Sequence, residues 1–564
     1  MNFSKKNLNL ILVLISTLIL GVVILFPHFF EVQIQTVKAD SNLFKSESPE
    51  SMQQGKYTDI MVNIDDTHQI SLFLSNNGHY YLLLPSYISD EQLNKITMQA
   101  NDLLLKRDST LSSDSLIVLR SKNLPSIMID FYEGDIEQLN SDKKYNTKAL
   151  MEVITATGNV EHKDIISIHG HGFSSFYETH DKSYKVTTEH TGSILGMPNA
   201  KDWVLVSNAF DSTHVRNKVI YDAVNDLFSI PSVNSEFADV YINGNYEGSY
   251  LVCEDIDSES VWQNRIGNTL ININRSEEDD STFTTNTDTT YIIEYPAKIS
   301  NKYQDELCSK MNEIESLIDS CSSEEDLNNL NELIDINSLV EMFIIDFITQ
   351  ESDANTNSTY YYLADDGRFY SGPVWDYDRA LGSEVRGQYV RVNSYINGLP
   401  EELFEKNEHF RELVSRRLKE ICACCPDNSL DSELLKYIET YSEQIYNSLY
   451  MDRIVNGLSG TYSIDLGNIE TNTDYLIKYT KDRYELLTDI LQNYENYPSI
   501  AIKDFHNSRG IWITADGAFT TDELDLLKLV YGTESFVLND NELITEHYRF
   551  DKSGTYTIFP KYIQ

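Results

Sequence analysis

The chain has 564 residues, 44 of them basic and 88 acidic, for a formal charge of −44; this works against partners held by phosphate neutralisation and excludes nucleic acid as a ligand class. Charged residues at 23% and hydrophobic ones at 41% are an ordinary globular balance, so the acidity belongs to the surface, the chain is not intrinsically disordered, and it is long enough for several domains.

The first element in chain order is an uncharged stretch, residues 8–30, which at about 1.5 Å per residue is long enough to cross a ~30 Å hydrocarbon core. Lys5 and Lys6 precede it, and Glu31, Lys38 and Asp40 follow. That bias predicts a single-pass membrane anchor with the bulk of the chain extracellular. The small residues around Ala39 allow the other reading, a signal sequence cleaved there to leave a secreted protein. Residues 1–40 are therefore anchor or signal, and residues 41–56, rich in Ser, Glu and Gln, a polar tether.

Residues 57–120 read as a small β-rich accessory domain, with strands over 60–64, 80–84 and 115–119 and a helix over 90–105. Residues 121–258 read as a sheet-rich lobe, with strands over 127–131, 165–169, 184–188, 239–243 and 250–254 and a helix over 213–227. Within it Asn243-Gly244 predicts a hairpin turn, because a type I′ turn needs positive φ at both central residues, and Glu247-Gly248 predicts a bulge. Residues 259–497 read as helical, over 303–320, 324–333, 339–349, 408–422, 432–447 and 473–493, interrupted by a short sheet at 360–363, 369 and 373–375. Residues 498–564 form a small α/β appendage with a helix over 521–530. The fold class is α+β, two-lobed, strand-rich half first. Cys253, Cys308, Cys321, Cys422, Cys424 and Cys425 lack zinc-finger spacing and read as buried thiols or one or two disulfides.

Two segments have the residue types for chemistry. In the first, Ile168-His169-Gly170-His171-Gly172-Phe173-Ser174-Ser175-Phe176 is followed by Lys182 and Lys185. Glycines after a strand let backbone amides approach an anion, hydroxyls add donors, and a lysine one strand on reaches the same phosphates. His169 and His171 share a strand face but lack a third ligand nearby in the sequence, which favours hydrogen-bonded histidines over a metal pair. In the second, Asp353-Ala354-Asn355-Thr356-Asn357-Ser358 precedes a short hairpin, and Trp375-Asp376-Tyr377-Asp378 ends it. Carboxylates one residue apart at a strand end hold hard cations, and an acid on the preceding loop orients a hydroxyl.

With 203–205 and 211–217, then 243–254 and 373–382, these segments resemble the ordered motif series of the CotH (spore coat protein H) kinases, over residues 124–491. The resemblance implies a two-lobed, protein-kinase-like domain that uses ATP with Mg²⁺ or Mn²⁺. It implies that Gly170, Gly172, Ser174 and Ser175 form the phosphate-covering loop, that Lys182 contacts the phosphates and that Asp353 accepts the substrate hydroxyl's proton. It also implies that Asp376 and Asp378, with Asn357, hold the cation. Glu254 either touches the nucleotide or buttresses the joint between lobes, while Arg216 and Asn217 brace the lobe. Two departures stand out. His169 and His171 replace the family's arginines, removing fixed positive charge unless they are protonated, and Ser358 stands where a kinase has a metal-binding Asn, with Asn357 one position early.

The expected activity is transfer of the ATP γ-phosphoryl group to Ser, Thr or Tyr hydroxyls, of the chain itself or of an extracytoplasmic envelope or coat protein. The scarcity of ATP outside a cell keeps a second reading open, a catalytically weak kinase fold that serves as a surface binding or assembly module. A metal-dependent hydrolase is a remoter third.

Overall fold

The computed structural model describes residues 55–107, 116–258, 262, 267, 269–273, 281–351, 354, 357–383, 398–457, 465, 467–493, 499–503, 511–516, 535–538, 542–544 and 554–561. Residues 8–30, the helix expected over 521–530 and Asp353 lie outside them. Among the described residues no helix is long and apolar enough to cross a membrane.

Strands β1 (Lys56–Asn63), β2 (Gln69–Leu74), β3 (Tyr80–Leu84) and β4 (Leu116–Arg120) make one sheet in that order, with helix α1 (Asp90–Arg107) between β3 and β4. The core of the expected accessory domain extends into later segments. Val62, Leu72 and Leu82 share a core with Met128, Tyr241, Tyr246 and Met451 from the later segments.

The sheet-rich lobe is a closed barrel of seven strands. They are β5 (Ser126–Phe131), β6 (Asn146–Ile154), β7 (Val160–His171), β8 (Ser183–Gly192), β9 (Ala200–Val206), β10 (Ser235–Ile242) and β11 (Asn245–Glu254), with α2 (Ile136–Ser141), α3 (Ser174–Glu178) and α4 (Arg216–Leu227) in the connections. The parallel pairing of β5 with β10 closes it. The Asn243-Gly244 turn takes φ of 50° and 79°, as its sequence demands. Glu247 is the extra residue of a bulge, since Val240 pairs with Gly248 and Tyr241 with Tyr246. Helix α4 starts at Arg216, later than its periodicity suggests, because Asp211 turns the chain first: its carboxylate accepts the amides of Thr213 and Arg216, each at 2.8 Å.

The second half is less purely helical than expected. Strands β12 (Thr269–Ile273), β13 (Thr282–Thr284) and β14 (Thr290–Tyr295) join β15 (Thr359–Leu363) and β16 (Phe369–Ser371) in a five-stranded sheet. Strands β12 and β14 are short buried apolar runs with little period-2 signal, stabilised by pairing with each other and of β12 with a strand almost ninety residues later. The helices are α5 (Asn301–Ser320), α6 (Glu324–Leu330), α7 (Ile336–Thr349), α8 (Leu399–Lys406), α9 (Glu408–Cys422), α10 (Leu430–Val455) and α11 (Ile469–Asn493). Helix α7 is predominantly apolar and buried along almost its whole length, with Glu341 and Asp346 among its buried residues, the pattern of a helix at the centre of a core. A further five-stranded sheet, β17 (Ser499–Lys503), β18 (Ile511–Asp516), β19 (Ser535–Leu538), β20 (Glu542–Ile544) and β21 (Gly554–Lys561), ends the chain. The six cysteines are free thiols.

Candidate active site

Alternation along β7 and β8 decides what faces the joint between the halves. Ile168, Tyr184 and Val186 point into the barrel core, so His169, His171 and Lys185 stand on its outer face. Lys185 pairs in register with His169 on one side and Val204 on the other, and Val204 pairs with Cys253. Val204 and Cys253 belong to the core shared with the helices of the second half. The outer face of β7-β8-β9-β11 is thus the wall that meets the second half.

The glycine-rich run connects β7 to β8 through the single turn of α3. A Cβ on Gly170 would lie 2.2 Å from the Phe176 ring, and one on Gly172, whose φ is 78°, 2.2 Å from Ser175 Oγ. Both glycines are required by close approach within the loop itself. Ser174 and Ser175 open α3, and Phe173 and Tyr177 stand exposed on its rim with their rings edge to face at 5.3 Å.

Lys182 does not reach out of this loop. Its ammonium donates to the carbonyls of Phe176 and Thr179 and lies over the Phe176 ring, so it closes the end of α3, and burial lowers its pKa. The lysine on the wall is Lys185, whose Nζ is 2.6 Å from Asp255 Oδ2. Burial alone would lower the Lys185 ammonium, yet the charge and hydrogen bond of Asp255, with Asp257 and Asp202 near it, carry its pKa above the ordinary value. Glu254, beside Asp255, directs its carboxylate to the backbone amide and side chain of Asn234 at 2.9 and 2.8 Å. Both of these contacts lie within the sheet-rich lobe.

From the other side comes the Trp375-Asp376-Tyr377-Asp378 turn. Trp375 stacks on Tyr221 of α4, rings 6.0 Å apart and 5° from parallel, and its edge meets His171 at 6.5 Å. Burial first, then the charges of Lys185, Lys143 and His169, push the His171 imidazole down to about 3. It is neutral at physiological pH, and the protonation that would replace the missing arginine charge does not occur there.

Asp376 has φ of 67° and Ser358 of 52°, two non-glycine residues in the left-handed region joined by a 3.0 Å hydrogen bond from Ser358 Oγ to Asp376 Oδ2. Such backbone strain, held by surrounding contacts, is a feature of functional sites. With Asn357, Asp346, Glu351, Trp375 and Tyr377 they line one small pocket. Tyr360 lines the same pocket, and burial first, then the charges of Asp257, Glu294, Asp376 and Asp255, push its hydroxyl well above the ordinary range. Asp378 is buried, and with Asp376 it acts on Tyr221.

Arg216 and Asn217, expected to brace the lobe, hold this turn. The Arg216 guanidinium pairs with Asp211 and donates to the Leu381 carbonyl at 3.3 Å, while Asn217 accepts the Tyr377 amide at 2.7 Å. Reading the sequence named Lys185 beside Lys182 but gave the phosphate contact to Lys182, quoted Trp375 only as part of its motif, and did not single out Asp255 and Tyr221. For Lys185 the signal was there: odd positions of β8 oppose the buried Tyr184 and Val186.

A sequence profile described as CotH kinase protein matches residues 166–487, a span that begins within β7 and ends in α11. The inner spore coat protein H of Bacillus subtilis (strain 168) is similar at 22% identity over 388 residues, 65% of this chain and 98% of that protein.

Proposed function

The chain belongs to the CotH kinase protein family, and from that premise we propose that it transfers the γ-phosphoryl group of ATP to Ser, Thr or Tyr hydroxyls, of itself or of an envelope or coat protein. One observation carries the reading: the edge of Trp375 on His171, 6.5 Å between centroids, brings the Asp376 turn against the wall that bears Lys185. Phosphoryl transfer depends mostly on positioning and charge neutralisation, which a wall with a lysine facing a turn with two carboxylates can provide.

In this reading Gly170, Gly172, Ser174 and Ser175 cover the phosphates and Lys185 contacts them. Lys182 holds the loop in shape. Asp376 and Asp378, with Asn357, form an all-oxygen donor set, which suits Mg²⁺ or Mn²⁺. When bound there, the cation supplies neutralisation of phosphate charge. Ser358 keeps Asp376 oriented, and Asp353, outside the described residues, accepts the acceptor hydroxyl's proton. We also place the chain at the cell surface, held by residues 8–30, or secreted after cleavage at Ala39; the N-terminal sequence of the mature protein separates the two. The similarity to an inner spore coat protein supports an envelope or coat setting.

A second reading, a catalytically weak fold used as a binding or assembly module, draws on two features: Ser358 in place of the metal-binding Asn and the neutral His171. Incubating the purified chain with labelled ATP and Mn²⁺ and locating the label by mass spectrometry separates them. Label on a hydroxyl that is absent with Asp376→Ala supports the kinase. ATP binding without transfer supports the module, and neither binding nor transfer overturns the nucleotide reading.

A further inference from the structure

Away from this pocket, a buried cluster joins three segments distant in sequence. Asp181 ends the connection between α3 and β8, His214 sits in the turn ahead of α4 with φ of 58°, and Asp452 lies in the last turns of α10. One ring nitrogen of His214 and one carboxylate oxygen from each Asp lie within 4.8 Å of one another. All three side chains are more than nine-tenths buried, at 9%, 5% and 3% exposure for Asp181, His214 and Asp452. His214 Nδ1 is buried and has no hydrogen-bond partner, which is unfavourable unless something fills it.

We propose that Asp181, His214 and Asp452 bind one divalent transition-metal ion of the zinc or manganese class, at a site that fastens the foot of the glycine-rich loop to helix α10.

Lone pairs remain for such an ion. Asp181 accepts a long 3.4 Å hydrogen bond from Tyr250, and Asp452 accepts the Ser249 amide at 2.8 Å and Asn456 at 3.3 Å, whereas an ionised carboxylate has about four acceptor positions. The neighbouring cations are committed elsewhere. Lys182 lies on the carbonyls of Phe176 and Thr179, and Arg453 on the Ser212 carbonyl and Asp465, each of the latter two at 3.0 Å. Two buried acids therefore face each other with His214 beside them. The backbone makes room for this arrangement: a Cβ on Gly248, whose φ is 143°, would meet Asp452 Oδ2 at 2.4 Å.

The donor set selects the ion. One imidazole with two carboxylates is too hard for copper(I) and suits Zn²⁺ or Mn²⁺ better than Mg²⁺ or Ca²⁺. Ligands at about 2.0–2.2 Å from a tetrahedral ion are roughly 3.4 Å apart, which side-chain rotation reaches from the observed spacing. Such an ion would link the loop over the proposed phosphate site to the second half.

The test uses the full chain, stripped with chelator and titrated calorimetrically with ZnCl₂ and MnCl₂ in the absence of nucleotide. The Asp376→Ala background removes the proposed nucleotide-linked cation. One equivalent is expected to bind in that background and to raise Tm. His214→Gln and Asp452→Asn should each weaken it at least tenfold and abolish the Tm gain; the Asp452→Asn side chain can still accept the Ser249 amide and so preserves the fold. The proposal is overturned if neither metal binds the Asp376→Ala chain, or if both variants bind like their parent.

Discussion

Lys185 and Asp255 form a 2.6 Å ion pair on the face of the barrel that meets the second half, with the Asp255 side chain 1% exposed and that of Lys185 23%. A buried carboxylate fixes the ammonium and keeps it charged, whereas Lys182, three residues earlier, donates to two carbonyls of its own loop. The two lysines thus predict opposite results.

Lys185→Met is expected to raise the Kd for ATP at least tenfold, about 1.4 kcal/mol, and to lower Tm because Asp255 is left buried without its partner. Lys182→Ala should change that Kd less than threefold while loosening the loop. Calorimetry with a thermal melt on each variant reads both quantities. Nucleotide binding lost with Lys182→Ala but kept with Lys185→Met would move the phosphates to the barrel mouth.

Asp376→Ala and Asp378→Ala are each expected to remove metal-dependent ATP binding, whereas Asp353→Asn should leave the affinity within about twofold and abolish transfer, since it acts on the acceptor. Binding and labelling measured on the same preparations give the split. Equal loss of binding in all three would contradict separate roles.

Gly170→Ala places a methyl group 2.2 Å from the Phe176 ring, an overpacking that costs about 1–3 kcal/mol. The double variant Gly170→Ala/Phe176→Leu should recover most of the stability, because the smaller side chain vacates that space. Chemical denaturation of the four chains forms the cycle, and additivity of the two single effects would refute direct contact.

Arg216 is 1% exposed and pairs with the fully buried Asp211. Burial would raise the Asp211 carboxyl, but Arg216, Thr213 and the Arg216 amide hold it below its ordinary value. Arg216→Ala leaves that charge uncompensated and should destabilise by about 3–5 kcal/mol, with a fall in Tm visible by calorimetry.

Burial pushes the Asp346 carboxyl up to about 7 and that of Asp239 to about 6. The Tyr377 hydroxyl donates to Asp346 at 2.9 Å, and the charges of Asp346 and Glu401 act on Tyr361 and on each other. Both folded-state values lie above those of the unfolded chain, so the native state holds these protons longer. Their contribution to stability is greatest below about pH 4 and declines as pH rises through 6 and 7, by at most about 1.4 kcal/mol per pH unit for each group. Tm should therefore fall between pH 5 and pH 8, and Asp346→Asn should flatten that slope. An unchanged slope in the variant would place the titration elsewhere.

The α+β division, most of the long helices and the hairpin at Asn243-Gly244 were legible in the sequence. Periodicity, turn chemistry and motif order are local properties, and the family resemblance rests on them. Strands β12 and β14 were not legible, because a short apolar run becomes a strand only when a partner such as β15 lies beside it.

Sequence by itself determined which residue types the site holds: glycines and hydroxyls in one run, paired acids in another, lysines between. Tertiary structure decided which of them face each other. Whether Lys182 or Lys185 stands on the wall depends on strand parity against a closed barrel, since successive side chains point to opposite faces. That Asp181, His214 and Asp452 meet at all depends on a loop and a nearby turn packing against a helix more than two hundred residues later. No local pattern encodes that distance, because it is set only when the barrel buries its outer face against the second half.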